Sequence, residues 1–161
     1  MERLIDHALR EGADGVLLTC SQYGYVGRRM TVSVPVLAPD DAAFNEIREK
    51  GVSRILVLAS LESARTDTVE RLADALSGAP GDPTIEGRVA PSAASHADAG
   101  DADALVESLI EAASGDHDAV LLAQYSLAGV ANLLSTALST PVVTGPSSAA
   151  AALARQIGIA R

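Results

Sequence analysis

Three short, continuous apolar runs constrain this chain more than any other feature: Gly15–Leu18, Ile55–Ala59 and Ala119–Ala123. Each is too short for a helix, lacks polar alternation and is bounded by turn or capping residues. Such runs read as strands buried on both faces, which is the pattern of parallel sheets. Helical spacing falls between them. Leu4, Ile5, Ala8 and Leu9 share one face before Gly12. Val69, Leu72, Ala73 and Leu76 form a second stripe, and Leu105, Val106, Leu109, Ile110 and Ala113 a third. Strands alternating with helices predict an α/β fold with mainly parallel sheets flanked by helices.

In chain order, the pattern predicts strands over 14–19, 34–38, 54–60, 84–90, 118–123 and 141–144. Helices are expected before Gly12, between Ser21 and Met30 (a turn, then a short helix), from a cap at Asp40–Asp41 to Gly51, and over 127–138. A last helix over 147–157 is expected to be capped by Ser147 or Ser148. Residues 91–103 are Ala- and Asp-rich without periodicity and read as a long loop. There is also an internal repeat. Asp14-Gly-Val-Leu-Leu-Thr-Cys20 is echoed by Asp118-Ala-Val-Leu-Leu-Ala-Gln124, and Val34-Pro-Val-Leu37 by Thr140-Pro-Val-Val143. Two matched segments in the same order predict two pseudo-symmetric lobes. The division expected is a first lobe over 1–50, with a C-terminal helix over 146–161 packing back on it, and a second lobe over 51–145.

Ligands of open parallel sheets sit beyond the carboxyl ends of the strands. That rule places Cys20, the chain's one cysteine, at the mouth of a pocket between Thr19 and Ser21. The bland alternative is a small buried hydrophobe, which free cysteines often are. Lobes facing each other would bring the Gln124-Tyr125-Ser126 turn to the opposite wall. Other chemistry is thinner. His7, His96 and His117 share no metal-ligand spacing, and neither a phosphate-binding glycine loop nor a Gly-x-Ser-x-Gly elbow is present. Arg28, Arg29 and Arg65 read as surface charge, and Asp116 and Asp118 as solvated residues flanking a strand.

The net charge of −9 argues against nucleic-acid or anionic-membrane surfaces as partners. A single cysteine suits a reducing cytoplasm. No apolar run approaches the roughly 18 residues of a membrane-spanning helix.

The strand running into Thr19-Cys20-Ser21, the Val-Pro-Val-Leu strand at 34–37, the Arg54–Ser60 strand and the Asp118–Ser126 segment resemble the aspartate/glutamate/hydantoin racemase superfamily. The resemblance implies cofactor- and metal-free chemistry at the carbon alpha to a carboxylate. A thiolate at one strand end removes a proton and a thiol on the facing lobe returns one. It assigns Cys20 as the first-lobe cysteine, Thr19 and Ser21 as hydrogen-bond donors to a small carboxylate substrate, and Ser60 and Ser63 as carboxylate-binding hydroxyls. The second-lobe cysteine position is Gln124, which has no proton to exchange near neutral pH. Tyr125 is the neighbouring acid, with an ordinary phenol value of about 10. The resemblance therefore leaves three readings open: isomerase or racemase-type chemistry using Cys20, a one-cysteine decarboxylase of the arylmalonate type, and a non-catalytic small-molecule-binding relative. Family members begin with further strands, so the first lobe here is expected to be truncated, and the exposed edge to favour a homo-oligomer, most simply a dimer.

Overall fold

The computed structural model describes residues 1–20 and 23–158. It is an α/β structure with two parallel sheets flanked by helices. Helix α1 (Glu2–Arg10) leads into β1 (Val16–Leu17), α2 (Gly24–Arg29), β2 (Val36–Leu37) and α3 (Asp41–Lys50). Then follow β3 (Arg54–Ala59), α4 (Glu62–Leu76), β4 (Thr84–Val89), α5 (Ala93–Ala99), α6 (Ala102–Ala112) and β5 (Ala119–Leu122). A 3₁₀ segment (Tyr125–Val130), α7 (Ala131–Leu138), β6 (Val142–Thr144) and α8 (Gly145–Gln156) complete the order. Strands β1 and β2 pair with each other, and the larger sheet runs β4-β3-β5-β6, with every pairing parallel.

The larger sheet carries the core because its central strands, β3 and β5, have no polar alternation to spend on solvent. After Arg54, every residue of β3 is buried, as is every residue of β5. One face packs Leu56, Leu58, Val120 and Leu122 against Leu105 and Leu109 of α6 and against Leu127 and Leu134. The other packs Ile55, Val57, Leu121 and Val143 against Phe44 and Ile47 of α3 and Leu72 and Leu76 of α4. The small sheet has its own cluster, in which Ile5 of α1 meets Leu18 and Val26.

Several expectations are corrected. The 14–19 strand is paired only over Val16–Leu17, and both residues are half-buried rather than enclosed on two faces. Among the described residues β2 is the one neighbour of β1, so no second strand extends its ladder. The 34–38 strand likewise shortens to Val36–Leu37. Residues 93–99, read as loop, form α5; alanine's helix propensity needs no apolar stripe, and Gly100 closes the helix at φ 70°. The 127–138 helix is a 3₁₀ segment followed by α7. Helix α8 starts at Gly145, two residues earlier than expected, and is capped by Thr144, whose hydroxyl accepts from the Ser147 N–H at 3.3 Å. Ser148 instead donates to Glu46 at 2.6 Å. Asp40 makes no side-chain cap on α3, because it is spent on a distant arginine.

Asp118 is not merely solvated. Its carboxylate accepts from the Ser53 N–H (3.1 Å), the Arg54 N–H (2.9 Å) and the Arg54 guanidinium (2.9 Å), tying the starts of β5 and β3 together. Arg54, with those two backbone donors, holds the Asp118 carboxyl below the usual carboxylate range. A carboxyl held below its unfolded value adds stability above that value and loses it as pH falls through the folded value. Asp118→Asn is therefore expected to lower stability at neutral pH and to flatten its decline below about pH 4. Urea midpoints followed by circular dichroism across that range check this; parallel curves for variant and wild type would refute it.

Candidate functional site

The segments that follow β2 and β5 meet where the Tyr125 hydroxyl reaches Pro39. Register pairs Val16 with Val36 and Leu17 with Leu37, and the Leu18 N–H donates to Leu37 O at 3.0 Å. Beyond that bond the two strands leave the sheet together, one as Thr19–Cys20 and the other as Ala38–Pro39–Asp40. Thr19 and Cys20 are exposed. The Tyr23 N–H donates to Cys20 O at 3.0 Å. Gly24 then lies against Ala38 and Pro39, where a Cβ would sit 3.4 and 3.5 Å from their side chains. The exposure of Cys20 removes the reading of it as a core hydrophobe. Ser21 lies outside the described residues.

On the larger sheet, Ser60 and Gln124 are one unit. The Ser60 N–H (2.7 Å) and hydroxyl (3.0 Å) both donate to Gln124 Oε1. Ser60 is buried and Gln124 half-buried. With its oxygen anchored, the glutamine amide is fixed in orientation, and its NH₂ end remains a donor. Ser63 and Ser126 are exposed, on the first turn of α4 and in the 3₁₀ segment.

Tyr125 connects the two sheets. Its hydroxyl donates to Pro39 O at 3.1 Å, across 86 positions of sequence. Burial, with the nearby Asp40 charge, pushes its phenol up to about 12. A phenol so placed, with its proton already donated, is a poor acid at neutral pH. The expected measurement is a phenolate absorbance titration in which the wild-type minus Tyr125→Phe difference ionises at about 12. A difference curve centred at the ordinary value of about 10 would contradict the assignment.

Two residues that sequence reasoning missed complete the junction. Arg71 of α4 donates from Nη1 to Asp40 at 2.6 Å and from Nε to Asp67 at 3.1 Å, and its guanidinium lies 5.5 Å from the Phe44 ring centroid. Burial pushes the Asp40 carboxyl above the usual range, against the pull of Arg71. The Asp40-Asp41 doublet was the available signal, but it reads locally as a helix cap. Arg28 is paired with Asp41 at 2.8 Å and Arg65 with Glu62, so neither cation is idle. Among the described residues, no three His, Cys, Asp or Glu side chains gather as a metal site requires. Among the described residues, no helix is long and apolar enough to cross a membrane. Surface hollows of about 310 Å³ between α3 and α8, and of about 330 Å³ beside Met1, Tyr23 and Tyr25, include none of Cys20, Ser60 and Gln124 in their lining.

The fold has solved counterparts. The fold is shared with Picrophilus torridus aspartate racemase (TM-score 0.74, 16% identity, covering 96% of this chain and 66% of that one). It is shared equally with allantoin racemase from Klebsiella pneumoniae (TM-score 0.74, 21% identity, 97% and 64%). Arylmalonate decarboxylase matches at 25% identity with a TM-score of 0.69, covering 98% of this chain and 75% of that one. The chain thus spans about two thirds of the length of the racemases it matches. No curated protein sequence matches it significantly. The model of one sequence family, described as Asp/Glu/Hydantoin racemase, matches residues 1–153. A match over nearly the whole chain, on a shared parallel α/β fold, establishes that the chain belongs to the Asp/Glu/Hydantoin racemase family.

Proposed function

We propose that the protein carries out cofactor-independent proton transfer at the carbon alpha to a carboxylate, with Cys20 as the group that takes and returns the proton. One observation carries this reading, the state of the strand-end groups. The Tyr125 hydroxyl is donated to Pro39, Asp40 is bonded to Arg71, and Gln124 Oε1 accepts from Ser60. The Cys20 thiol, by contrast, is exposed. As thiolate, Cys20 removes the α-proton; the C–H electron pair moves into an enediolate, and the thiol then returns a proton to that carbon. Thr19, Ser21 and the Gln124 amide would hold the carboxylate, with Ser60 orienting Gln124 and Ser63 and Ser126 at the rim. Donors aimed at developing oxygen charge are worth most where water is excluded.

A second reading is favoured by Gln124 itself. A glutamine opposite the thiol offers no second proton. Loss of CO₂ from a malonate-type acid needs only one: the C–C bond breaks, its electrons form the enediolate, and the Cys20 thiol protonates the carbon. The likeness to arylmalonate decarboxylase supports this branch. The same proposal takes the chain as two lobes, 1–50 together with the C-terminal segment 146–161, and 51–145, associating as a homodimer in the cytoplasm.

The test is proton NMR in heavy water over a panel of 2-substituted carboxylic and malonic acids. Exchange of the α-proton supports the isomerase branch, and release of CO₂ with deuterium incorporated supports the decarboxylase branch. Ligand-induced stabilisation with neither reaction would make the protein a carboxylate-binding relative and sink the proposal.

A further inference from the structure

Besides the packing of α3 on the larger sheet and on α8, the two sheets meet at two points of different character. Away from the site the joint is apolar. Gly15, just before β1, lies against α8, where a Cβ would sit 2.7 Å from Leu153 Cδ1 and 3.3 Å from Ile157 Cγ2. Such contact is non-directional and permits small rocking movements. At the site end the joint is polar and directional. It consists of the Tyr125 hydroxyl on Pro39 O and the Arg71 guanidinium on Asp40, whose residue is only 8% exposed. Gly145, the first residue of α8, is where these meet. A Cβ there would lie 2.7 Å from Tyr125 Cε2, 3.0 Å from Pro39 O and 3.3 Å from Asp40 Oδ1. The end of β2, the turn after β5 and the start of α8 therefore converge with no space for a methyl group.

We propose that this junction is a strut that sets the spacing between the Cys20 strand end and the Ser60–Gln124 pair, with Tyr125 and Asp40 as positioning residues rather than proton carriers. The inference rests on the reading of the strand ends as the site. Pro39 and Asp40 continue the strand that pairs beside Cys20's own, and Tyr125 directly follows Gln124. A bond between Tyr125 and Pro39 therefore acts on both walls within a few residues of each reacting or binding group. With α3 and the apolar joint at α8 still packed, loss of the polar joint loosens the mouth while leaving the cores intact.

The experiment measures the separation of the Cys20 strand end from α6, which packs on the larger sheet. Spin labels on Cys20 and on an introduced Glu107→Cys, an exposed position of α6, report the separation by pulsed dipolar spectroscopy. Far-UV circular dichroism confirms that each variant is folded. In the otherwise unmodified chain a single narrow distribution is expected. Tyr125→Phe, which keeps the ring against Gly145 and removes only the hydroxyl, is expected to lose that narrow peak. Asp40→Ala is expected to do the same, while Asp40→Asn, which keeps an oxygen facing Arg71, retains more of it. A distribution unchanged in folded Tyr125→Phe overturns the strut. This readout needs the exposed Cys20 thiol only to take the label, not to exchange protons with a substrate, so it fails independently of the proposed chemistry. In the exchange assay, misplacement of the walls by about 1 Å lowers kcat by about 100-fold. The shape of the pH profile is expected to stay that of the wild type in Tyr125→Phe, and loss of an alkaline limb in that variant would show an acid rather than a strut.

Discussion

Cys20→Ala is expected to lower α-proton exchange or decarboxylation by about 10²- to 10⁴-fold, the range that a positioned acid–base group contributes. The reason is local and chemical. The chain leaves β1 at Leu18, whose N–H is the last ladder bond to Leu37, so Cys20 is held by a strand end yet projects from the sheet as an exposed residue. Its neighbours across the junction have their protons or charges engaged: Tyr125 with Pro39, Asp40 with Arg71. No nearby group described above takes over when the thiol is removed. Because the side chain is exposed, the same substitution is expected to shift stability by less than about 0.5 kcal/mol. Activity lost at an unchanged urea midpoint is the result that identifies a chemical role. Cys20→Ser sharpens the test, since a hydroxyl is too weak an acid to serve as its own base near neutral pH. Full turnover in Cys20→Ala would end the proposal. A loss matched by a fall in stability would reassign Cys20 to structure.

The parts legible in the sequence were those where local composition and final environment coincide. The Arg54–Ser60 and Asp118–Ala123 runs have nowhere to go but the middle of a sheet, and β3 and β5 are both buried there. Cys20 was legible as a strand-end residue because the apolar run stops at Leu18 and polar residues follow. What escaped was decided by distant partners. Asp40 next to Asp41 is good capping chemistry, but an arginine 31 positions later gives its carboxylate a stronger bond than one helix N–H. Gln124 reads as the loss of an acid, whereas its value lies in an oxygen fixed by Ser60, 64 positions earlier. Tyr125 reads as a substitute acid until its hydroxyl is found on Pro39. Helix α5 was hidden for the opposite reason: alanine makes a helix without the apolar periodicity by which helices are recognised. The Thr144 cap had two equally good competitors downstream, and which of them caps depends on where β6 ends.

Leu58→Ala is expected to remove about 2–5 kcal/mol of stability, the cost of emptying a buried leucine site. That is a large share of the 5–15 kcal/mol typical of a domain. Leu58 is fully buried in β3, among Leu56, Val120, Leu122 and the leucines of α6 and α7. The sheet around it is pinned by parallel bonds on both sides, to β4 and to β5, so the backbone cannot collapse into the space. The chain has no tryptophan, so the loss is read as a lower urea midpoint by circular dichroism. Leu133→Ala is the control: the same deletion at a side chain 54% exposed on α7 should change stability by under about 0.5 kcal/mol. The position of Leu58 also makes the substitution informative about the site. Its carbonyl accepts from the Ala123 N–H at 2.9 Å, the last ladder bond before Gln124, and Ser60 follows two residues later. Loosening here reaches the Ser60–Gln124 pair without touching β1, whose cluster of Ile5, Leu18 and Val26 is separate. Alkylation of Cys20 should therefore proceed at the wild-type rate below the unfolding transition, while binding of a small carboxylate weakens. Equal loss of both would mean that the two sheets share one core and respond as a single unit.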